Sequence, residues 1–226
     1  MALSHSPKIV TDGLVLCLDA GDGKSYGGSG TTWTDRSGNG YNGTLTNGPT
    51  FDSSNGGSID FDGSNDYTSL SVTKTATCTF AVWAKTDETS ISSLNDMLFN
   101  AGSNGRGPDL FFALNRICWN TWDSSTNLFC NMPSLVVDGN FHYYVVVCDA
   151  SAEEATLYID GEEYGTANHT TSLHQARLTE NTNLYVGGNA GNYIWKGNIA
   201  AFKMYNKLLT VDEILQNYNA QKGKFS

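Results

Sequence analysis

Basic residues are scarce in this chain of 226. Lys+Arg number 13 against Asp+Glu 23, a formal net charge of −10, and charged residues of both signs make up only 16%. Nucleic acid demands a basic stripe facing its phosphates, so this balance argues against that partner. Long apolar runs are missing too: none reaches the ~18 residues of a membrane span. The start, Met-Ala-Leu-Ser-His-Ser-Pro-Lys, lacks the charged and apolar regions of a secretory signal. The expectation is a protein made in a cytosol, with no membrane partner. The composition is also far from the Ala, Glu, Lys and Leu excess of a coiled coil.

Catalytic patterns are equally thin. There is no Gly-x-Ser-x-Gly elbow and no alternating carboxylate run of the kind that sets two acids ~5–9 Å apart across a glycosidic bond. The four histidines (His5, His142, His169, His174) show no metal spacing. Gly21-Asp22-Gly23-Lys24-Ser25 ends like a phosphate loop, but the position five before the lysine is Asp19, not glycine. Asp60-Phe61-Asp62-Gly63-Ser64-Asn65-Asp66 has the acids of a calcium loop but places its glycine two positions early, with Ser71 where the closing acid belongs. The simpler reading is a strand, Ile59 and Phe61 inward, turning at Gly63. No catalytic residue, metal ligand or cofactor is expected, and the chain reads as a non-enzyme.

What is abundant is neutral and polar. Gly 24, Thr 23, Asn 22 and Ser 21 make 90 of the 226 residues, while Trp 5, Tyr 11 and Phe 10 supply the surface to bury. Strand signals recur about every ten residues with Gly, Asn, Asp and Ser between them. Gly13–Asp19 is a short apolar run. Thr77–Lys85 sets Cys78, Phe80, Val82 and Ala84 on one face and Thr79, Ala81 and Trp83 on the other, a central strand between two layers. Phe141–Cys148 reads alike. Thr156–Asp160 and Glu162–Tyr164 form a hairpin turning at Asp160-Gly161. Asn183–Gly187 and Asn198–Tyr205 are further strands.

One helix is expected, at the end. Thr210 and Glu213 fit a capping box, and Val211, Ile214, Leu215 and Tyr218 follow at helical spacing up to Gly223. It reads as a short amphipathic helix on a sheet edge. Residues 1–12 read as an arm and 13–226 as one domain. The fold class is all-β: an antiparallel two-sheet jelly-roll sandwich with one short C-terminal helix.

Five cysteines form no C-x-x-C pair. Cys17, Cys78 and Cys148 lie in apolar runs and act as small hydrophobes. Cys118 and Cys130 flank the segment 123–127 and are equidistant from Ser124, so a hairpin centred near Ser124 sets them opposite one another. A cross-strand disulfide is one reading; reduced thiols are the other.

Ligand binding falls to aromatics, whose faces suit the C–H faces of sugars. Trp83 reads as core. Trp119 and Trp122 differ in parity, so at most one faces outward. With Asn120, Asp123 and Asn127 around the same hairpin, they form the candidate glycan site, with inter-strand packing as the competing role.

Gly13–Asp22, Thr32–Leu45 (TWTDRSGNGYNGTL), Ser58–Tyr67 and the closing Leu184–Gly188 and Gly197–Asn206, followed by the helix, resemble the concanavalin A-like lectin/glucanase superfamily in its laminin-G-like branch. The likeness spans about residues 13–220. Many relatives carry an acid in the closing strand that helps hold calcium; Ala200 and Ala201 stand there. Asn47–Phe51 and Gln216–Phe225 resemble virion proteins of tailed bacteriophages. That resemblance implies a structural protein of the virion, a capsid-exterior decoration or knob with weak glycan adhesion. Its partners would be other virion proteins, a second copy of itself and a cell-surface glycan, with residues 1–12 and the C-terminal tail as docking elements. The alternative is a carbohydrate-binding module of a tail fibre or of a glycan-degrading enzyme.

Overall fold

The computed structural model describes residues 7–91, 96–102, 108–113, 116–120, 127–131, 134–152, 154–168, 183–190 and 193–225. The strands follow in order: β1 Leu14–Asp19, β2 Thr32–Trp33, β3 Gly43–Thr46, β4 Thr50–Asp52, β5 Ser58–Asp62, β6 Tyr67–Ser71, β7 Thr77–Thr86 and β8 Asp96–Asn100. Then come β9 Asp109–Ala113, β10 Arg116–Asn120, β11 Asn127–Asn131, β12 His142–Asp149, β13 Glu154–Ile159, β14 Glu162–Asn168, β15 Asn183–Val186 and β16 Lys196–Tyr205, and the helix α1, Val211–Gln221.

Two antiparallel sheets face each other. The first runs β14-β13-β12-β7-β16-β5-β4, with β1 also on β16; the second runs β11-β10-β9-β8-β15-β6-β3-β2. The ten-residue β16 is the seam of the first sheet. Its opening residues pair with β5 (Ile199 opposite Ile59) and its closing ones with β1 (Lys203 opposite Cys17), while β7 lies along its other side.

The expected alternation holds on β7: Cys78, Phe80, Val82 and Ala84 enter the core between the sheets, while Ala81 and Trp83 enter a second cluster on the outer face. Aromatic rings fill the inter-sheet core, with Phe80–Phe99 centroids 5.0 Å apart and Phe112–Trp195 5.1 Å apart edge-to-face. Asp160 (φ 54) and Gly161 (φ 91) make the hairpin turn read from the sequence. The 60–66 segment is a strand and turn: Ile59 and Phe61 are buried, and Asp62 Oδ1 accepts the Ser64 amide at 2.7 Å.

The helix carries its capping box: Thr210 Oγ1 accepts from the Glu213 amide at 3.3 Å, and Glu213 Oε2 from the Thr210 amide at 3.0 Å. Its placement differs from expectation. It lies across the outer face of the first sheet, over β7 and β16, not on a sheet edge, with Ile214 against Ala81, Trp83, Ala200 and Ala201. Its inward line is Ile214, Asn217 and Gln221, while Val211 and Leu215 are exposed. The polar Asn217 faces inward because it bridges two strands of chain: its Oδ1 accepts the Val10 amide at 2.7 Å and its Nδ2 donates to Tyr205 Oη at 3.1 Å. Gln216 Nε2 donates to the Lys8 carbonyl at 2.7 Å. Residues 8–10 of the expected arm are thus fastened to the domain; residues 1–6 lie outside the described residues.

The Cys118–Cys130 geometry is corrected. The register sets Cys118 opposite Phe129 and Cys130 opposite Ile117, so the two are not cross-strand partners. The hairpin pivots half a residue earlier than the symmetric spacing suggests, and in a two-residue pleat that slip separates the pair. The register partners are instead Cys78 and Cys148, on β7 and β12.

Candidate functional site

Trp119, expected to offer a face to a sugar, is 1% exposed and lies in the inter-sheet core, its ring centroid 6.2 Å from both Phe80 and Phe99. It has no free face, and the packing role prevails. Asn120 and Asn127 are register partners in β10 and β11. Trp122 and Asp123 lie outside the described residues. Trp33, Trp83 and Trp195 are buried as well.

Among the described residues, an open, ligand-sized groove lies on the opposite sheet. It has a volume of about 520 Å³, within the range of small-molecule clefts, and lies where the chain after α1 folds back over β7 and the loop before β12. Trp83 forms its floor, with Tyr218 stacked parallel (centroids 5.6 Å, planes 12° apart) and Phe225 at 4.6 Å. Phe225 also lies 5.2 Å from Phe141, so four rings are continuous. Tyr218 and Phe225 are half-buried and border the opening. This positions the C-terminal tail, expected to be a docking element: residues 222–225 return onto their own domain and form one wall of the groove.

Two cations stand over these rings. Lys85 Nζ is 5.7 Å from the Phe141 centroid, and Lys222 Nζ is 5.1 Å from that of Tyr218. Lys85 lies 3.8 Å from Asp87, whereas Lys222 makes no ion pair among the described residues. Asn55 and Asn140 add exposed amides at the rim.

Asp160 brings a carboxylate to the wall, but both its oxygens are engaged. Oδ2 is 2.7 Å from His142 Nδ1, and Oδ1 accepts the Tyr143 amide at 2.8 Å. His142 Nε2 faces Asp138 Oδ1 at 3.2 Å. Burial disfavours charge on His142, yet the two carboxylates outweigh it and hold the imidazolium pKa above its ordinary value. This clasp joins the 138–140 lip to the Asp160 turn.

Sequence reading did not find this groove. Trp83 was legible only as core, and Tyr218 only as a residue of the helical stripe. Lys85, Phe141, Lys222 and Phe225 meet through long-range packing that no local spacing encodes. Among the described residues no group of three or more His, Cys, Asp or Glu could hold a metal ion, and no helix is long and apolar enough to cross a membrane.

Several solved structures share the fold. The binding domain of botulinum neurotoxin serotype D superposes with a TM-score of 0.71 at 16% identity, over 94% of this chain and 53% of that one. The binding domain of Paraclostridial Mosquitocidal Protein 1 gives 0.68 at 15%, over 93% and 52%. The binding domain of botulinum neurotoxin DC, in complex with rat synaptotagmin II, gives 0.72 at 11%, over 94% and 52%. The chain thus spans about half the length of each, and at these identities the likeness is one of fold. No curated protein matches the chain by sequence. The laminin-G-type family model described as the concanavalin A-like lectin/glucanases superfamily matches residues 54–215, most of both sheets, and the chain belongs to that superfamily.

Proposed function

We propose that this domain is a non-catalytic, lectin-like binding module serving as a structural and adhesive part of a tailed-bacteriophage virion, displayed on the capsid exterior. The groove over Trp83 is its contact surface for cell-surface glycans. One observation carries the reading: a ligand-sized groove bordered by the half-buried rings of Tyr218 and Phe225, which are backed by the buried Trp83 and Phe141, and rimmed by amides and cations. Aromatic faces with a few polar groups at the edge are the usual means of holding a sugar ring. The lining's one carboxylate, Asp160, is occupied by His142 and the Tyr143 amide, which suits binding better than acid–base work on a glycoside. The virion setting is supported by the phage-like wording of 47–51 and 216–225, and a binding role by fold neighbours that are themselves binding domains. Other virion proteins and further copies of the chain are its assembly partners in this reading.

Two measurements test it. Antibody labelling of intact particles, viewed by electron microscopy, should decorate the capsid exterior; unlabelled particles that contain no such chain would refute the virion role. The purified protein should retain glycans on an array, and Tyr218→Ala should weaken that retention by about tenfold or more. Retention unchanged by Tyr218→Ala would remove the groove as the contact surface.

A further inference from the structure

We infer that the groove selects an anionic sugar, one bearing a carboxylate on its ring; this rests on reading the groove as the glycan contact. The charged groups it leaves open to a ligand are cations. Lys85 and Lys222 bring two ammonium groups to its rim. The one side-chain carboxylate of the lining is tied into the fold, one oxygen on His142 and the other on the Tyr143 amide. A ligand group of negative charge, held against the half-buried Tyr218 ring, would give Lys222 a partner.

The charge pattern agrees. In a chain of net charge −10, the lining itself carries two lysines against one aspartate, with Asp52, Asp60 and Asp87 on the Lys85 side. Lys85 is shared, 3.8 Å from Asp87 and within the field of Asp52 and Asp60. Lys222, exposed and without an ion pair among the described residues, is the cation left to meet a ligand. A carboxylate accepting from an ammonium forms a shorter and stronger hydrogen bond than a sugar hydroxyl does. An acidic peptide suits the place less well. β7 is flanked by β12 and β16, so the groove sits on a sheet face with no open strand edge for an extended chain to join.

The test compares uronate- and sialate-terminated oligosaccharides with their methyl esters, which keep the shape and lose the charge, by calorimetric titration of the intact protein. The acids should bind about tenfold or more tightly than their esters. Lys222→Gln, alone and with Lys85→Gln, should bring that ratio towards one without abolishing ester binding. Tyr218→Ala should weaken both acid and ester. Acids and esters binding equally, with Tyr218→Ala still harmful, would overturn the selection for charge and leave the glycan reading standing. Failure of both ligands to bind would overturn both readings, and an acid preference untouched in the double lysine variant would overturn the assignment to these lysines.

Discussion

His142 Nδ1 lies 2.7 Å from Asp160 Oδ2 while the opposite ring nitrogen faces Asp138. A neutral imidazole can donate to only one of two carboxylates, so the complete clasp needs the imidazolium. With the folded pKa raised above the unfolded value of about 6.5, the stabilisation is fully present below that value and is lost as pH rises through the folded pKa. Urea midpoints measured from pH 6 to 9 should therefore fall more steeply for the native protein than for His142→Gln. Parallel curves would show that the ring is not charged in the fold.

Asp96 presents the reverse sign. Burial pushes its carboxyl up to about 6; Glu88 adds to the rise and Lys196 opposes it. The unfolded chain releases this proton near 3.9, so ionised Asp96 is a cost that grows between roughly pH 4 and 6 and is complete above that. Asp96→Asn should raise stability at pH 7 by up to about 3 kcal/mol, at roughly 1.4 kcal/mol per pKa unit, and change it little at pH 4. Denaturant titrations at the two pH values decide the matter.

Gly187 separates two costs that usually travel together. At φ +80, any Cβ there would strike the Phe61 ring, while Gly187 N donates to the Leu98 carbonyl at 2.9 Å. Gly139, at φ +78, has open space around it. Gly139→Ala should cost only the backbone strain, about 1–2 kcal/mol, and Gly187→Ala that plus an overpacking cost of about 1–3 kcal/mol. Equal losses in thermal unfolding would mean that Phe61 yields freely.

Cys17, Cys78 and Cys148 are all at most 5% exposed. Burial raises the Cys17 and Cys148 thiols above their ordinary pKa. A thiolate-directed reagent should leave all three unmodified in the native protein over hours and label them in denaturant, with mass spectrometry locating the adducts. Rapid native labelling of Cys78 or Cys148 would contradict the closed packing of β7 on β12.

Much of the frame was readable from local pattern. Alternation on β7 assigned its two faces because both are covered, one by the other sheet and one by α1. The capping box and the Asp160-Gly161 turn were readable because they depend on a few adjacent residues. What escaped depends on distance. Asp96 opens a strand yet is buried. The exact pivot of the β10–β11 hairpin, and so the partners of Cys118 and Cys130, required the register itself. The helix was expected to bury its apolar stripe, but Asn217 faces inward because Val10, 207 positions away, needs an acceptor for its amide. The groove is the extreme case, assembled from the β7 strand, the loop before β12 and the residues after α1.

The bond between Gln216 and the Lys8 carbonyl has a practical consequence. Lys8 is held on the helix through that bond, and Phe225, near the other end of the described chain, lines the groove. A tag or fusion carried after Phe225 would crowd the mouth it is meant to assay, and a surface gripping such a tag would turn the groove towards itself. Immobilisation through a side chain on the second sheet would present the groove outward, so the same protein could read as inert or adhesive according to how it is held.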